Sequence, residues 1–179
     1  MIDMESRTAC FTGHRELPTD DLPEISKRLE DTLVKLIEQG YRYFGAGGAL
    51  GFDTLAAQVV LRLRERYPQI RLILVLPCLN QTRGWPQADI DAYEEIKRCA
   101  DKVTYTSEHY FRGCMQKRNS HLADNSSVCI CYLTKPTGGT AYTVNYARRS
   151  GCGSSISQVQ IACKSALYAN KPPELPFHR

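Results

Sequence analysis

The feature that most constrains the fold is a regular alternation of short apolar segments with amphipathic helical segments. The clearest short segment runs over 70–76 and is apolar at every position from Leu72 onward, as in a strand that helices cover on both faces. One helical stripe consists of Leu22, Ile25, Leu29, Leu33, Leu36 and Ile37. Because strands that alternate with helices pair in parallel, the pattern predicts an α/β fold. We expect a doubly wound, mostly parallel sheet with helices on both faces.

The same pattern gives the order of the elements. Strands are predicted at 8–12, 41–44, 70–76, 102–105 and 128–133, each followed by a helix, and a weaker pattern places a last strand at 156–161. The length of 179 residues predicts a single domain over 1–179, with 151–179 as its least defined part. The 42% of hydrophobic residues and 23% of charged residues are ordinary for a globular protein and exclude disorder and coiled coil. The net charge of +4 is too small to indicate a particular partner.

Apolar runs and cysteines constrain the cellular setting. The longest apolar run, 72–79, is far shorter than the roughly 20 residues that a membrane-spanning helix needs. No apolar signal core precedes the first strand, so we expect a cytoplasmic protein that does not enter a membrane. The eight cysteines include no Cys-x-x-Cys pair, which favours free thiols over a metal site or a disulfide framework.

Three junctions between a strand and the following helix are rich in glycine, at 12–15, 45–51 and 137–140. In a parallel sheet these junctions share the carboxyl edge, where ligands bind. A glycine in one junction would indicate only a tight turn, but glycines also let backbone N–H groups approach an anion at a helix N-terminus. Three such junctions together favour a ligand that carries phosphate. The candidate phosphate contacts in them are Gly13, Gly47, Gly48, Gly51, Gly138, Gly139 and Thr140.

The well-known nucleotide signatures are absent. Leu50 occupies the position where the dinucleotide-binding fingerprint beginning at Gly45 would need its third glycine, and no Gly-Lys-Ser/Thr sequence is present. An ordinary NAD-dependent dehydrogenase and a P-loop NTPase are therefore excluded.

Arg118 is the most informative side chain. It shares a helical stripe with Met115 and Leu122, so we expect it to be buried. A buried arginine needs an anionic partner, which is either a structural carboxylate or a ligand phosphate held by two hydrogen bonds. Arg15, two positions after Gly13, is a second candidate for phosphate contact.

Two further side chains are candidates for the rest of a ligand. Asp53 lies in the first turn of a predicted helix, where it either complements the helix dipole or binds a ribose hydroxyl. Trp85 lies in the loop after the most apolar strand, where it either packs against the core or stacks on a base.

Taken together, these residues resemble the YpsA-like family. The resemblance covers about 7–149 and rests on Thr12-Gly13-His14-Arg15, Gly47-Gly48-Ala49-Leu50-Gly51-Phe52-Asp53, Pro77 with Gln81 and Trp85, Lys117-Arg118-Asn119 and Gly138-Gly139-Thr140. It implies a Rossmann-like domain of the SLOG superfamily, which also contains the LONELY GUY phosphoribohydrolases and the DNA-processing protein DprA. It further implies a nucleotide-type ligand such as NAD or ADP-ribose and, through the likeness to the hydrolases, a homodimer. We expect no required cofactor.

The resemblance to the phosphoribohydrolases also suggests an alternative, hydrolysis of the N-glycosidic bond of a nucleoside monophosphate. Those enzymes carry Met-x-x-Arg, which Met115 and Arg118 match. They also carry a catalytic glutamate after Gly-Thr, but Thr143 stands at that position here. Threonine cannot act as a general base, so we expect binding without turnover unless another group, such as Asp53, replaces the glutamate.

A third reading is binding of single-stranded DNA, as in DprA. Such binding uses a basic groove interleaved with aromatic side chains. The basic clusters in the sequence are Arg148-Arg149 and Arg62, Arg64 and Arg66, of which the second set is typical of a solvated helix end. The sequence therefore argues against nucleic acid as a partner.

Overall fold

Strands and helices alternate along the part of the chain that the computed structural model describes, residues 7–149 and 157–161. The strands are β1 (Thr8–Gly13), β2 (Tyr43–Ala46), β3 (Arg71–Leu76), β4 (Lys102–Tyr105), β5 (Val128–Tyr132) and β6 (Ser157–Gln160). The helices are α1 (Leu22–Glu38), α2 (Phe52–Arg64), α3 (Gln87–Cys99), α4 (Cys114–Asp124) and α5 (Gly139–Arg149), and a 3-10 turn at Thr19–Asp21 precedes α1.

These strands form one parallel sheet in the order β4-β3-β2-β1-β5-β6. The chain moves outward from β1 to β4, then returns across the sheet through α4 and continues outward on the other side with β5. The direction therefore reverses between β1 and β5, whose paired residues run from Ala9 with Val128 to Gly13 with Tyr132. In open α/β sheets the carboxyl edge at such a reversal is where ligands bind.

Helices cover both faces of the sheet because the strand side chains alternate between two apolar clusters. Ala9 and Phe11 of β1 belong to the larger cluster, which contains the buried side chains of α1, α2 and α3. Cys10, between them, belongs to a second cluster with Leu122 of α4 and Ala147 of α5. The predicted doubly wound α/β fold with helices on both faces is therefore confirmed.

The second strand starts two residues later than predicted because the end of α1 occupies the intervening residues. Gly40 has a φ of +101°, and the Tyr41 amide donates back to the Leu36 carbonyl at 3.0 Å, which is the Schellman arrangement that ends a helix. Beyond Phe44, parallel pairing with β3 extends the strand to Ala46. The weakly predicted last strand is confirmed at Ser157–Gln160, where it pairs with β5, whereas 150–156 and 162–179 lie outside the described residues.

The described cysteines are free thiols, as expected: Cys10, Cys78, Cys99, Cys114, Cys129 and Cys131. Within 7–149 and 157–161, no helix combines the length and the apolar character that crossing a membrane would require.

Candidate ligand-binding cleft

A cavity of about 260 Å³ opens at the carboxyl edge of the sheet, beside the reversal between β1 and β5. We call it the inner cavity. It is lined by the end of β1 and the loop after it, the loop after β2, the first turns of α2 and α5, and the first two turns of α4. Its lining residues are Thr12, Gly13, His14, Arg15, Ala49, Asp53, Met115, Arg118, Asn119, Gly139 and Thr140.

Asp53 fixes the loop that precedes its own helix. Its Oδ2 atom accepts the amide N–H groups of Gly47 at 3.2 Å and Ala49 at 3.4 Å. The side chain is only 6% exposed, and burial raises the pKa of its carboxyl, while Arg118 and the two amides oppose that rise. The carboxylate thus acts on the backbone of the β2–α2 loop as well as facing the cavity.

The turn before α2 depends on Gly51. Its φ is +75°, and a Cβ atom there would collide with the backbone carbonyl groups of His14 and Arg15. The Phe52 amide donates to the His14 carbonyl at 3.1 Å, which holds the β1 loop against the start of α2. Gly51 is therefore required by close backbone packing, and it does not line the inner cavity.

Arg118 lies on α4, lines the inner cavity and is only 4% exposed. Its Nη1 atom donates to the Gly47 carbonyl and its Nε atom donates to Asn119 Oδ1 at 2.6 Å. Burial lowers the pKa of the Arg118 guanidinium, and the charge of Asp53 opposes that shift. No carboxylate among the described residues forms an ion pair with it; Asp53 acts on it only at longer range. The predicted burial is confirmed, and the buried Asp53 carboxylate stabilises the charge of Arg118 without ion-pair contact.

Asn119 and Thr143 connect α4 to α5. The Asn119 Nδ2 atom donates to Thr143 Oγ1 at 2.8 Å, and Thr143 Oγ1 donates to the Gly139 carbonyl at 2.9 Å. Thr143, at the position of the hydrolase glutamate, is buried. Its hydroxyl therefore serves to join the helix that carries Arg118 to the helix that begins at the cavity.

His14 joins the loops that follow β1 and β5, the two strands between which the chain direction reverses. Its Nε2 atom accepts the amide N–H of Thr134, after β5, at 2.8 Å, and its ring lies edge-on to Tyr132 with centroids 6.0 Å apart. Accepting a hydrogen bond at Nε2 requires the neutral ring with its proton on Nδ1. Burial, and then the charge of Lys135, lower the pKa of His14 below its ordinary 6.5.

A second cavity of about 360 Å³, the outer cavity, adjoins the first, since Arg15 and Met115 line both. It contains Trp85, whose ring packs edge-on against Tyr93 with centroids 5.7 Å apart. The remaining lining residues are Asn80, Gln81, Arg83 and Tyr110. Gln81 also supports the β2–α2 loop, because its Nε2 atom donates to the Gly48 carbonyl at 3.0 Å.

Seven of the predicted site residues line the two cavities. The inner cavity collects Gly13, Arg15, Asp53, Arg118, Gly139 and Thr140, and the outer cavity contains Trp85 and Arg15. The other four predicted glycines, Gly47, Gly48, Gly51 and Gly138, line neither cavity. Gly47 packs under the Arg118 guanidinium, and Gly48 lies against Leu76 and Tyr93.

Several residues of the cleft were not singled out from the sequence. Asn119 follows Arg118 directly, and its Lys-Arg-Asn context in the family resemblance could have indicated it. His14 belongs to the Thr-Gly-His-Arg motif; it accepts a hydrogen bond from the Thr134 amide, and its ring also lines the inner cavity. Arg83 and Tyr110 carry no periodic signal, since both lie in loops.

Sequence comparison places the chain among bacterial relatives. It is 30% identical over 128 residues to a UPF0398 protein of Halalkalibacterium halodurans, covering 70% of this chain and 68% of that protein. It is 26% identical over 140 residues to a UPF0398 protein of Brevibacillus brevis, covering 76% and 74% of the two chains.

Structure comparison changes one expectation. DNA processing protein A from Helicobacter pylori, whose structure was described for its mode of binding single-stranded DNA, matches with a TM-score of 0.57 and 17% identity, over 82% of this chain and 63% of that chain. The fold therefore occurs in a protein that binds single-stranded DNA, and the prediction against nucleic acid as a partner is wrong. That prediction looked for continuous basic runs, whereas this fold brings separate loops together at one edge. Arg62, Arg64 and Arg66 themselves form ion pairs with Glu30 and Asp101, as expected of a solvated helix end.

A family model tests the resemblance drawn from the glycine-rich junctions and the Lys-Arg-Asn motif. The YpsA model, described as the YspA SLOG family, matches residues 11–162, a range that includes both cavities. The chain belongs to this YspA SLOG family.

Proposed function

We propose that the cleft binds a nucleotide or a nucleotide-derived ligand, with a phosphate group in the inner cavity. The observation that carries this proposal is the buried Arg118 guanidinium, which lines the cavity without an ion-pair partner among the described residues. A buried charge is costly unless it is paired. An anion bound in the cavity would supply the missing partner.

The guanidinium has a free end that suits this role. Its Nε and Nη1 atoms are engaged with Asn119 and Gly47, while Nη2 has only the Met115 sulfur at 4.0 Å. The N–H groups of Nη2 are therefore left to donate to a phosphate oxygen. The start of α5, at Gly139 and Thr140, lines the same cavity, and its backbone amides and helix dipole favour an anion.

The remainder of a nucleotide would extend from there. Hydrogen bonds to Gly47 and Ala49 use only Oδ2 of Asp53, so Oδ1 is available to accept a ribose hydroxyl. The inner cavity, at about 260 Å³, is smaller than the roughly 300 Å³ at which ligand pockets begin. The ligand would therefore continue past Arg15 and Met115 into the outer cavity, where Trp85 offers a ring for the base.

Turnover is not part of this proposal. Asp53 is the one carboxylate that lines the inner cavity among the described residues, and its hydrogen bonds hold a loop. Thr143, in place of a catalytic glutamate, joins α4 to α5. Hydrolysis of an N-glycosidic bond is the alternative, and release of a free base from a nucleoside monophosphate would establish it.

Two expectations from the sequence accompany the proposal, a homodimer and a cytoplasmic location. Light scattering of the purified protein tests the first, and cell fractionation tests the second.

Thermal unfolding with AMP, GMP, ADP, NAD and ADP-ribose at millimolar concentration tests the proposal. A ligand at 100 times its Kd adds about 2.7 kcal/mol to the free energy of unfolding, a shift of a few degrees in Tm. The matching nucleoside, which lacks phosphate, should give a much smaller shift. In Arg118→Lys the nucleotide shift should fall, whereas Arg66→Lys, on an exposed ion pair, should retain it. Equal shifts in both variants, or no shift with any nucleotide, would contradict the proposal.

A further inference from the structure

We propose that the mouth of the cleft also binds single-stranded nucleic acid, on a surface that extends beyond the nucleotide cavities. This surface, the aromatic–basic rim, consists of Arg15, Arg83, Tyr110, Phe111 and Arg112. The inference goes beyond the proposed nucleotide ligand, because it uses neither Arg118 nor Asp53.

The rim residues lie together although they come from three loops. Arg15 follows β1, Arg83 follows β3, and Tyr110 follows β4. All three line the outer cavity, so their side chains are neighbours. Phe111 and Arg112 continue the loop from Tyr110 toward α4, and the Leu79 amide joins this loop to the β3 loop by donating to the Glu108 carbonyl at 3.3 Å.

The rim carries three arginines, of which Arg15 acts through its charge on the Asp53 carboxylate of the inner cavity. Arg15, Arg83 and Arg112 are exposed and form no ion pair with any described residue, although Glu16 and Glu108 lie on the same loops. In contrast, Arg62, Arg64 and Arg66, which were the basic candidates from sequence, are paired with carboxylates. Cations without partners on one edge favour a ligand with several negative charges.

The rim also exposes aromatic rings. Tyr110 is 64% exposed and Phe111 is 43% exposed, in consecutive positions. The apolar faces of these rings are more stable when covered than in contact with water. Interleaved with arginines, they match the stacking platforms on which unpaired bases lie while the cations contact the backbone. A duplex keeps its bases stacked internally, so the rim fits a single strand.

The length of the rim agrees with a short segment of single-stranded nucleic acid. The rim extends from the β1 loop to the β4 loop, across three strand spacings in the order β4-β3-β2-β1. At about 4.8 Å for each spacing, this is roughly 15 Å. A strand with helically stacked bases carries one phosphate per about 3.4 Å, so the rim accommodates at most roughly four nucleotides, and fewer of an extended single strand.

The test uses fluorescence anisotropy of labelled oligo-dT and oligo-rU of about 12 nucleotides, with a duplex of equal length as a comparison. We expect both single strands to bind more tightly than the duplex. Affinity should fall as salt increases, with a slope of log K against log salt of about −2 for three phosphate contacts. Preference for dT or rU decides whether DNA or RNA is the better ligand.

Variants of Phe111 and Arg112 separate this inference from the nucleotide site, because neither residue lines a cavity. Phe111→Ala should weaken oligonucleotide binding by roughly 5- to 100-fold, while Phe111→Tyr, which keeps a ring, should retain it. Arg112→Ala should reduce the salt slope by about 0.7, and Arg66→Ala, a matched exposed arginine, should leave it unchanged. Thermal shifts with mononucleotides should be the same in all four variants. Absence of oligonucleotide binding at low salt, or equal loss in Arg112→Ala and Arg66→Ala, would overturn the inference even if mononucleotides bind.

Discussion

Asp53 and Arg118 bind opposite polar groups of the same residue, Gly47. The Asp53 carboxylate accepts the Gly47 amide N–H at 3.2 Å, and the Arg118 guanidinium donates to the Gly47 carbonyl. The two charged side chains are 6% and 4% exposed, respectively, and are not in direct ion-pair contact. The β2–α2 loop is thus held at one residue by two buried opposite charges. A change at Gly47 should therefore affect both.

Gly47→Ala should destabilise the protein by about 1–3 kcal/mol, because the added methyl group would collide with the Arg118 guanidinium. The guanidinium would have to leave the Gly47 carbonyl, and ligand affinity should fall with it. Urea unfolding measures the first effect, and calorimetry with the nucleotide found in the thermal screen measures the second. If the variant has the same midpoint of urea unfolding as the wild type, the contact between residue 47 and the Arg118 guanidinium is not tight.

Gly139→Ala should lower the affinity for the nucleotide but leave the free energy of unfolding within about 1 kcal/mol of the wild-type value. A Cβ atom at Gly139 would meet nothing within 4 Å, yet this residue lines the inner cavity. The methyl group would therefore occupy space where an anion approaches the start of α5. If Gly139→Ala binds the nucleotide as tightly as the wild type, the phosphate does not lie against this helix.

Thr143→Val should cost about 1–2 kcal/mol of stability, because it leaves Asn119 Nδ2 without its acceptor. Thr32→Val is a matched control, since both hydroxyls donate to the carbonyl four residues earlier, at 2.8 Å for Thr32 and 2.9 Å for Thr143. The difference between the two variants in urea unfolding isolates the link between α4 and α5. Equal losses would mean that the Asn119 contact contributes nothing measurable.

The fold could be predicted from the sequence because its signals are local. Apolar strands alternating with amphipathic helices give the parallel α/β arrangement, and Gly40, which ends α1, is visible in the sequence directly after the helical stripe. The start of β2 was missed by two residues, since the last turn of α1 and pairing with β3 decide it jointly. The register between two strands depends on contacts between segments that are far apart in the chain, so it cannot be predicted from the periodicity within one segment.

The candidate site could be predicted only in part, for a related reason. Glycine-rich junctions mark the carboxyl edge, and the stripe position of Arg118 predicts its burial. The sequence does not reveal which glycines face the cavity: Gly13 and Gly139 do, whereas Gly47 lies under Arg118. Likewise, the arginines of the rim are far apart in the chain and become neighbours only through the strand order.

His14 should make stability depend on pH in a defined direction. The folded protein lowers the pKa of His14 below 6.5, so the unfolded chain binds a proton more readily. The contribution of the neutral ring is therefore fully present above pH 6.5 and is lost as the pH falls through the lowered value. Protonation would also place a proton on Nε2, which now accepts the Thr134 amide at 2.8 Å. Acid should thus loosen the contact that joins the loops after β1 and β5.

Two measurements check this prediction. In an NMR titration, one histidine resonance should titrate below pH 6.5 and should be missing from His14→Gln. In urea unfolding from about pH 7.5 down to about pH 5, the free energy of unfolding should fall less steeply in His14→Gln than in the wild type. A His14 resonance that titrates above pH 6.5 would mean that the ring is stabilised in its charged form, and that the Thr134 amide is not its partner in solution.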